Sequence, residues 1–380
     1  MSQAIKKIFT VNLAVKKEEL LLVFTDIIGA GEPVSDDERQ RRLSLVDIAR
    51  EVAEAGKEFC NSQYIEYPAV GSHGKEPPRA MWDACFGKMA VEELTAKGVL
   101  EKILAKKAGH QEIAEAERIV ERLGESPDAI IALSNYSTSH TRFRDLLTRV
   151  KGVRYASMPL FERYMLEGSM TADWKEVEKR TKRLVEMVSG AEMAFITSHN
   201  GTSISFSIKG RPVLPDTGIL TAPGSFSNLP AGEAFLAPVE GTAEGVLILE
   251  WSPTGRFKDP VELIVKKGQV VEVIGHDDFS KLLKERIEEN PLCGNIAELG
   301  IGTNEKASRP DNILETEKIL GTVHIAIGDN SSFGGKVSVP FHQDFIFFKP
   351  TMEVIKGEEK VEVIINGEPR FTEEKVLEKT

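Results

Sequence analysis

Two short segments near the carboxyl end decide how the second half of this chain folds: Val323-His324-Ile325-Ala326-Ile327-Gly328 and Phe341-His342-Gln343-Asp344. The first alternates as a strand does, so that His324 and Ala326 share one face and the apolar residues share the other. In the second, His342 and Asp344 stand two residues apart and leave a strand on the same face, roughly 6 to 7 Å from each other. That spacing suits two ligands of one metal ion or of two adjacent ions.

Two glutamates extend this candidate metal site. Glu233 follows a Pro-Ala-Gly turn, and Glu298 stands in an apolar strand, where an unpaired carboxylate is costly. Carboxylates and imidazoles suit Zn²⁺, Co²⁺, Mn²⁺ or Fe²⁺. Two divalent ions and a bridging hydroxide would neutralise the three carboxylates, whereas one ion would leave a buried negative charge. The charge count therefore favours two metals, although a hydrogen-bonded histidine or a turn glutamate is an alternative reading of each residue alone.

Composition excludes several classes of partner. The 380 residues carry a formal net charge of −11, which argues against nucleic acid and anionic membranes. The amino terminus lacks the apolar core of a signal peptide, and no run of 18 apolar residues occurs. We therefore expect a soluble cytoplasmic protein.

The pattern of apolar and polar residues changes near residue 195. Before it, apolar segments such as residues 20–24 alternate with amphipathic segments, one of them opened by a capping box at Ser35 and Glu38. This alternation predicts an α/β scaffold domain over residues 1–195, three-layered and Rossmann-like with a mostly parallel sheet. Short β-prone segments separated by Gly and Pro predict a β-rich α+β domain over residues 196–380, which holds the metal site and the chemistry.

The segment from Asn228 to Glu233, together with Glu298, the His324 strand and His342-Gln343-Asp344, resembles the ligand motifs of the thermophilic metallo-aminopeptidases of the aminopeptidase T and aminopeptidase S type. The resemblance covers most of the chain. It implies a homodimer with an enclosed cleft, a peptide substrate and two metal ions held by Glu233, Glu298, His324, His342 and Asp344. On this reading the protein is a metallo-aminopeptidase that uses two Zn, Co or Mn ions to activate a water molecule. Glu298 or Glu233 is then the candidate general base.

One departure from that family opens an alternative. The aminopeptidases have a Tyr shortly after the first histidine, but here residues 328–335 read Gly-Asp-Asn-Ser-Ser-Phe-Gly-Gly, with Phe333 and no Tyr. This stretch is similar to the sister group of dihydroxypyridine ring-cleaving dioxygenases, which have one iron and a His where this chain has Glu298. The alternative is therefore a mononuclear Fe(II) dioxygenase with His324, His342 and Asp344 as ligands. A metal-stabilised binding protein without turnover is a third reading.

Overall fold

The computed structural model describes residues 2–252 and 255–372. Its α-helices are α1 (Gln3–Lys7), α2 (Asp36–Gly56), α3 (Arg79–Ala96), α4 (Val99–Leu104), α5 (His110–Leu123), α6 (Arg142–Asp145), α7 (Trp174–Val188), α8 (Asp278–Glu289) and α9 (Ile313–Thr316). Its strands are β1 (Leu20–Ile27), β2 (Asn61–Pro68), β3 (Ala129–Ala132), β4 (Arg154–Ser157), β5 (Met193–Thr197), β6 (Ser203–Ser207), β7 (Leu214–Asp216), β8 (Phe226–Asn228), β9 (Glu233–Leu236), β10 (Glu244–Ser252), β11 (Gly255–Lys266), β12 (Gln269–Ile274), β13 (Ile296–Gly302), β14 (Val323–Gly328), β15 (His342–Phe347), β16 (Thr351–Lys356), β17 (Glu359–Ile365) and β18 (Glu368–Pro369).

The first unit comprises residues 1–171 and 218–230, of which residue 1 lies outside the described part of the chain. Its sheet has the order β2-β1-β3-β4-β8, and all of its strand pairs are parallel. The apolar residues of β1 are buried, as expected for a strand covered on both faces. Helix α2 begins where the capping box predicts, with the Ser35 side chain accepting a hydrogen bond from the Glu38 amide.

The second unit comprises residues 172–217 and 231–380, of which residues 253–254 and 373–380 lie outside the described part of the chain. It contains an antiparallel sheet of order β12-β11-β10-β6-β5-β16-β17-β18 and a second antiparallel sheet of order β15-β14-β13-β9-β7. Apolar side chains from both sheets and from α7 form one core cluster. The expected division into an α/β part and a β-rich part is confirmed at this level, while the finer three-layer, Rossmann-like description stays a prediction.

The boundary between the units differs from the one expected at residue 195. Strand β5, which the sequence places in the first domain, pairs with β6 and β16 of the second unit. Residues 218–230 return to the first unit because β8 pairs with β4 and extends the parallel sheet. Among the described residues, no helix is long and apolar enough to cross a membrane. A cytoplasmic location stays a prediction.

Candidate metal centre

All five predicted ligands lie on consecutive strands of the second antiparallel sheet. Glu233 begins β9, Glu298 is on β13, His324 is on β14, and His342 and Asp344 are on β15. The register aligns Glu298, Ala326 and Asp344 in one row across the sheet. Because alternate residues of a strand share a face, the five side chains project from the same face.

The opposite face explains why the strands form this sheet. It carries apolar side chains that are buried in the core cluster, among them Leu299, Ile325 and Phe345. Shifting any strand by one residue would turn its ligands into the core. Burial of the apolar face therefore fixes the register that brings the ligands together.

Glycines stand opposite three of the ligand positions, and one of them makes room for a ligand side chain. Gly300 lies opposite His324, Gly302 opposite Glu233, and Gly328 opposite His342. A Cβ atom added to Gly300 would meet His324 Nε2 at 1.9 Å. At Gly302 and Gly328 a Cβ atom would instead meet the carbonyl oxygens of Ile319 and Phe341, at 2.0 and 2.1 Å. Gly300 is therefore required by the His324 side chain, and the other two glycines by close backbone contacts.

The ligand atoms form two groups that share Glu298. The inner group consists of Glu233, Glu298 and His324, and the outer group of Glu298, His342 and Asp344; within each group the ligand atoms lie within 4.8 Å of one another. The structure thus places His324 with the glutamates, and not in one group with His342 and Asp344 as the mononuclear alternative expects. The inner group is buried, with His324 0% exposed, whereas the His342 side chain is 32% exposed.

The distances within both groups fit metal coordination. His324 Nε2 lies 3.3 Å from Glu233 Oε2 and 3.4 Å from Glu298 Oε1. His342 Nε2 lies 3.4 Å from Glu298 Oε2 and 3.5 Å from Asp344 Oδ1. These contacts are long for charge-assisted hydrogen bonds, but two ligands of a tetrahedral ion, each about 2.1 Å from it, stand about 3.4 Å apart.

Two buried carboxylate oxygens also indicate a metal site. Glu233 Oε2 and Asp344 Oδ1 are buried and accept no hydrogen bond from the described residues. His342 is oriented from outside, since its Nδ1 lies 2.8 Å from the carbonyl oxygen of Asp329, which leaves Nε2 for the outer group. Unsatisfied acceptors beside an oriented imidazole fit a bound cation.

The charges of the site also favour a cation. Burial would lower the pKa of His324, but Glu298 and Glu233 raise it to about 9. Burial alone would raise the pKa of Asp344, but His342 lowers it. The carboxylates therefore hold positive charge at the imidazoles, and this charge can be a proton or a metal ion.

Sequence reasoning missed a buried cation and its partners. The Nζ atom of Lys318 lies 2.6 Å from Glu233, 2.8 Å from Glu317 and 3.9 Å from Asp216. Lys318 precedes β14 and Asp216 ends β7, so no strand periodicity links either residue to the ligands. The available signal was the Glu317-Lys318 pair, which stands a short loop before the apolar strand β14.

Phe333 lies beside the outer group. Its ring centroid is 6.0 Å from that of His342, with the planes at 89°, and 5.7 Å from that of Phe235. An apolar ring therefore lies beside the partly exposed His342. No Tyr occurs after Tyr164 to offer a hydroxyl there.

Comparisons with known proteins come from a family model and from solved structures. A family model described as NicX, 2,5-dihydroxypyridine 5,6-dioxygenase, matches residues 86–364, more than half of the chain. The structure of 2,5-dihydroxypyridine dioxygenase from Pseudomonas putida KT2440 matches with a TM-score of 0.65 and 17% identity, over 98% of this chain and 99% of that one. Wild-type AmpT from Thermus thermophilus matches with a TM-score of 0.59 and 13% identity, over 97% and 98%. No curated protein sequence matches at a significant level.

These findings correct the expected activity. The prediction of a metallo-aminopeptidase, a hydrolase of peptide bonds, is wrong, because the family model is that of a dioxygenase. The likeness to AmpT, at 13% identity, shows the fold alone. The peptide substrate and the general-base roles of Glu298 and Glu233 belonged to that hydrolase reading. Their roles as metal ligands, and the homodimer, stay predictions.

Proposed function

The chain belongs to the NicX family of 2,5-dihydroxypyridine 5,6-dioxygenases, and from that premise we propose that it is an Fe(II)-dependent enzyme that opens a hydroxylated pyridine ring with O₂. The outer group carries this proposal. Glu298, His342 and Asp344 converge at the partly exposed edge of a polar sheet face, where a small substrate can reach them. Their oxygen and nitrogen atoms are ligands that Fe²⁺ accepts.

An Fe(II) ion at this position would be held by Glu298, His342 and Asp344, and it would supply the electron transfer that lets O₂ react with an aromatic ring. The protein's own part is to orient the ligands and the substrate. The Asp329 carbonyl fixes the ring of His342, and the register of β13 to β15 fixes both carboxylates. Two of the three ligands are carboxylates, so the outer group carries more negative charge than two histidines and one carboxylate would.

The surroundings of the outer group favour a planar aromatic substrate. The Phe333 ring makes edge-to-face contacts with the rings of His342 and Phe235. A shallow depression that reaches Asp344 is also lined by the half-buried Trp251. Aromatic side chains bind flat rings by stacked or edge-to-face contacts worth about 0.5–1.5 kcal/mol beyond the buried area.

We propose further that the inner group holds a second divalent ion. Asp216, Glu233, Glu298, Glu317 and Asp344 bring five carboxylates into one contact network, and Lys318 brings one ammonium. Four formal negative charges remain when both histidines are neutral, and two divalent ions balance them. The inner group is buried, so its ion would fix the shared Glu298 and would not meet substrate.

Oxygen uptake tests the activity. The full-length protein would be loaded with Fe²⁺ without air and then mixed with air-saturated 2,5-dihydroxypyridine. We expect loss of the aromatic absorbance together with one O₂ consumed per ring, and neither change in Asp344→Asn. The absence of uptake by the iron-loaded protein with this compound and with other dihydroxylated pyridines would remove the proposal.

A further inference from the structure

Lys318 is fully buried beside the candidate metal ligand Glu233. Its side chain is 0% exposed. Its ammonium has three donors, and it donates hydrogen bonds to Glu233 Oε1 at 2.6 Å and Glu317 Oε2 at 2.8 Å, with Asp216 Oδ2 at 3.9 Å. A buried ammonium is costly to desolvate, and these carboxylates offset that cost.

The backbone around Lys318 is fixed independently of its side chain. The Lys318 amide donates to the carbonyl of Glu315 at 3.0 Å, and its carbonyl accepts from the Asn304 amide at 2.9 Å. The next residue, Ile319, forms a bridge with Asn304. The loop therefore holds the ammonium in one place, and the side chain is not needed to close the loop.

The two oxygens of the Glu233 carboxylate have different neighbours. Oε1 is taken by Lys318, while Oε2 lies 3.3 Å from His324 Nε2 and accepts no hydrogen bond from the described residues. Because Lys318 holds Oε1 in place, rotation of the carboxylate is restricted and Oε2 stays directed at His324. The same ammonium lowers the net negative charge without occupying the oxygen that faces the ligands.

We propose that Lys318 is a positioning residue for the inner group: it clamps Glu233 Oε1 so that Oε2 and His324 Nε2 together bind the second divalent ion. This inference rests on the proposed inner ion and adds the residue that controls it. Partners of metal ligands typically contribute 10- to 100-fold to metal affinity, and we expect an effect of that size here. The outer group makes no direct contact with Lys318 and keeps its ion.

Metal counting on the whole chain tests the inference without reference to turnover. The metal-free protein would be titrated with Co²⁺ alone, and bound cobalt counted per chain by equilibrium dialysis and elemental analysis. We expect two ions in the wild type. In Lys318→Met, the second ion should bind 10- to 100-fold more weakly while the first binds as before. Lys306→Met removes an exposed lysine of the same unit and should leave both affinities unchanged.

A second variant covers the case in which Lys318→Met does not fold. Lys318→Gln keeps a hydrogen-bond donor near Glu233 but removes the charge. It should also weaken binding of the second ion. Two ions with unchanged affinities in whichever variant folds, or a single ion in the wild type, would overturn the inference. The wild type could also bind two cobalt ions and yet, when loaded with iron, consume no O₂ with any dihydroxylated pyridine. That result would contradict the proposed activity but not the proposed role of Lys318.

Discussion

Gly300 lies directly opposite His324 in the sheet, and a Cβ atom on Gly300 would come within 1.9 Å of His324 Nε2. The imidazole can sit beneath β13 only because this position has no side chain. Gly300→Ala should therefore push His324 out of the inner group and abolish binding of the second ion. Overpacking of this kind typically costs about 1–3 kcal/mol of stability.

The measurement is cobalt per chain together with urea unfolding. Gly29→Ala is the matched control, because a Cβ there meets nothing nearer than 3.5 Å. If Gly300→Ala bound two ions with wild-type affinity, His324 would not be a ligand in the position that the structure gives it.

The outer group predicts a separate pattern. Asp344→Asn and His342→Ala should each release the outer ion and stop ring opening, because each removes one of three ligands. The inner ion should remain, since His324 and Glu233 are untouched. Glu298→Gln should weaken the binding of both ions, because Glu298 belongs to both groups. Elemental analysis distinguishes these outcomes, and full occupancy in Asp344→Asn would take Asp344 out of the ligand set.

Phe333 predicts an effect on substrate affinity. Phe333→Leu keeps an apolar side chain but removes the aromatic ring that contacts His342. An aromatic contact of about 0.5–1.5 kcal/mol corresponds to a roughly 2- to 10-fold rise in KM, with kcat little changed. Phe195→Leu, at an exposed position of the same unit, is the control. Equal KM values in all three proteins would mean that the substrate does not contact Phe333.

A buried carboxylate in the first unit predicts a pH dependence of stability. Glu76 accepts hydrogen bonds from the amides of Arg142 and Phe143, yet burial raises its pKa from 4.5 to about 6. A raised pKa favours the protonated form in the folded state. Its contribution to stability is therefore complete below about pH 4.5 and is lost as the pH rises through about 6, at most about 2 kcal/mol.

Unfolding in urea at several pH values checks this sign. Between pH 4.5 and 7.5, the free energy of unfolding of the wild type should fall by about 2 kcal/mol more than that of Glu76→Gln. The exposed Glu92→Gln should follow the wild type. Parallel curves for the wild type and Glu76→Gln would mean that the two amide hydrogen bonds fully offset burial.

The polar sheet face was predictable because it depends on local periodicity. His324 alternates with buried apolar residues, and His342 and Asp344 stand two apart, so strand geometry alone places them on one face. Convergence of the five residues was a hypothesis until the register of β9, β13, β14 and β15 was known.

Other features depend on contacts between distant parts of the chain. Lys318 meets Glu233 across 85 positions of sequence, and nothing local marks a lysine as buried. The return of β8 to the parallel sheet depends on its pairing with β4. Assignment to hydrolysis failed for another reason: one set of ligand types serves both water activation and oxygen chemistry, so the residues did not decide between them.

The most direct test of the central claim is the fate of the oxygen atoms. The iron-loaded protein would be incubated with 2,5-dihydroxypyridine under ¹⁸O₂ in ordinary water, and the mass of the ring-opened product would be measured by mass spectrometry. A dioxygenase places both atoms of one O₂ in one ring-opened product, so the account predicts a mass increase of about 4 Da over the product formed under ¹⁶O₂. A product that carries no ¹⁸O, or an unchanged substrate at full iron occupancy, would contradict it.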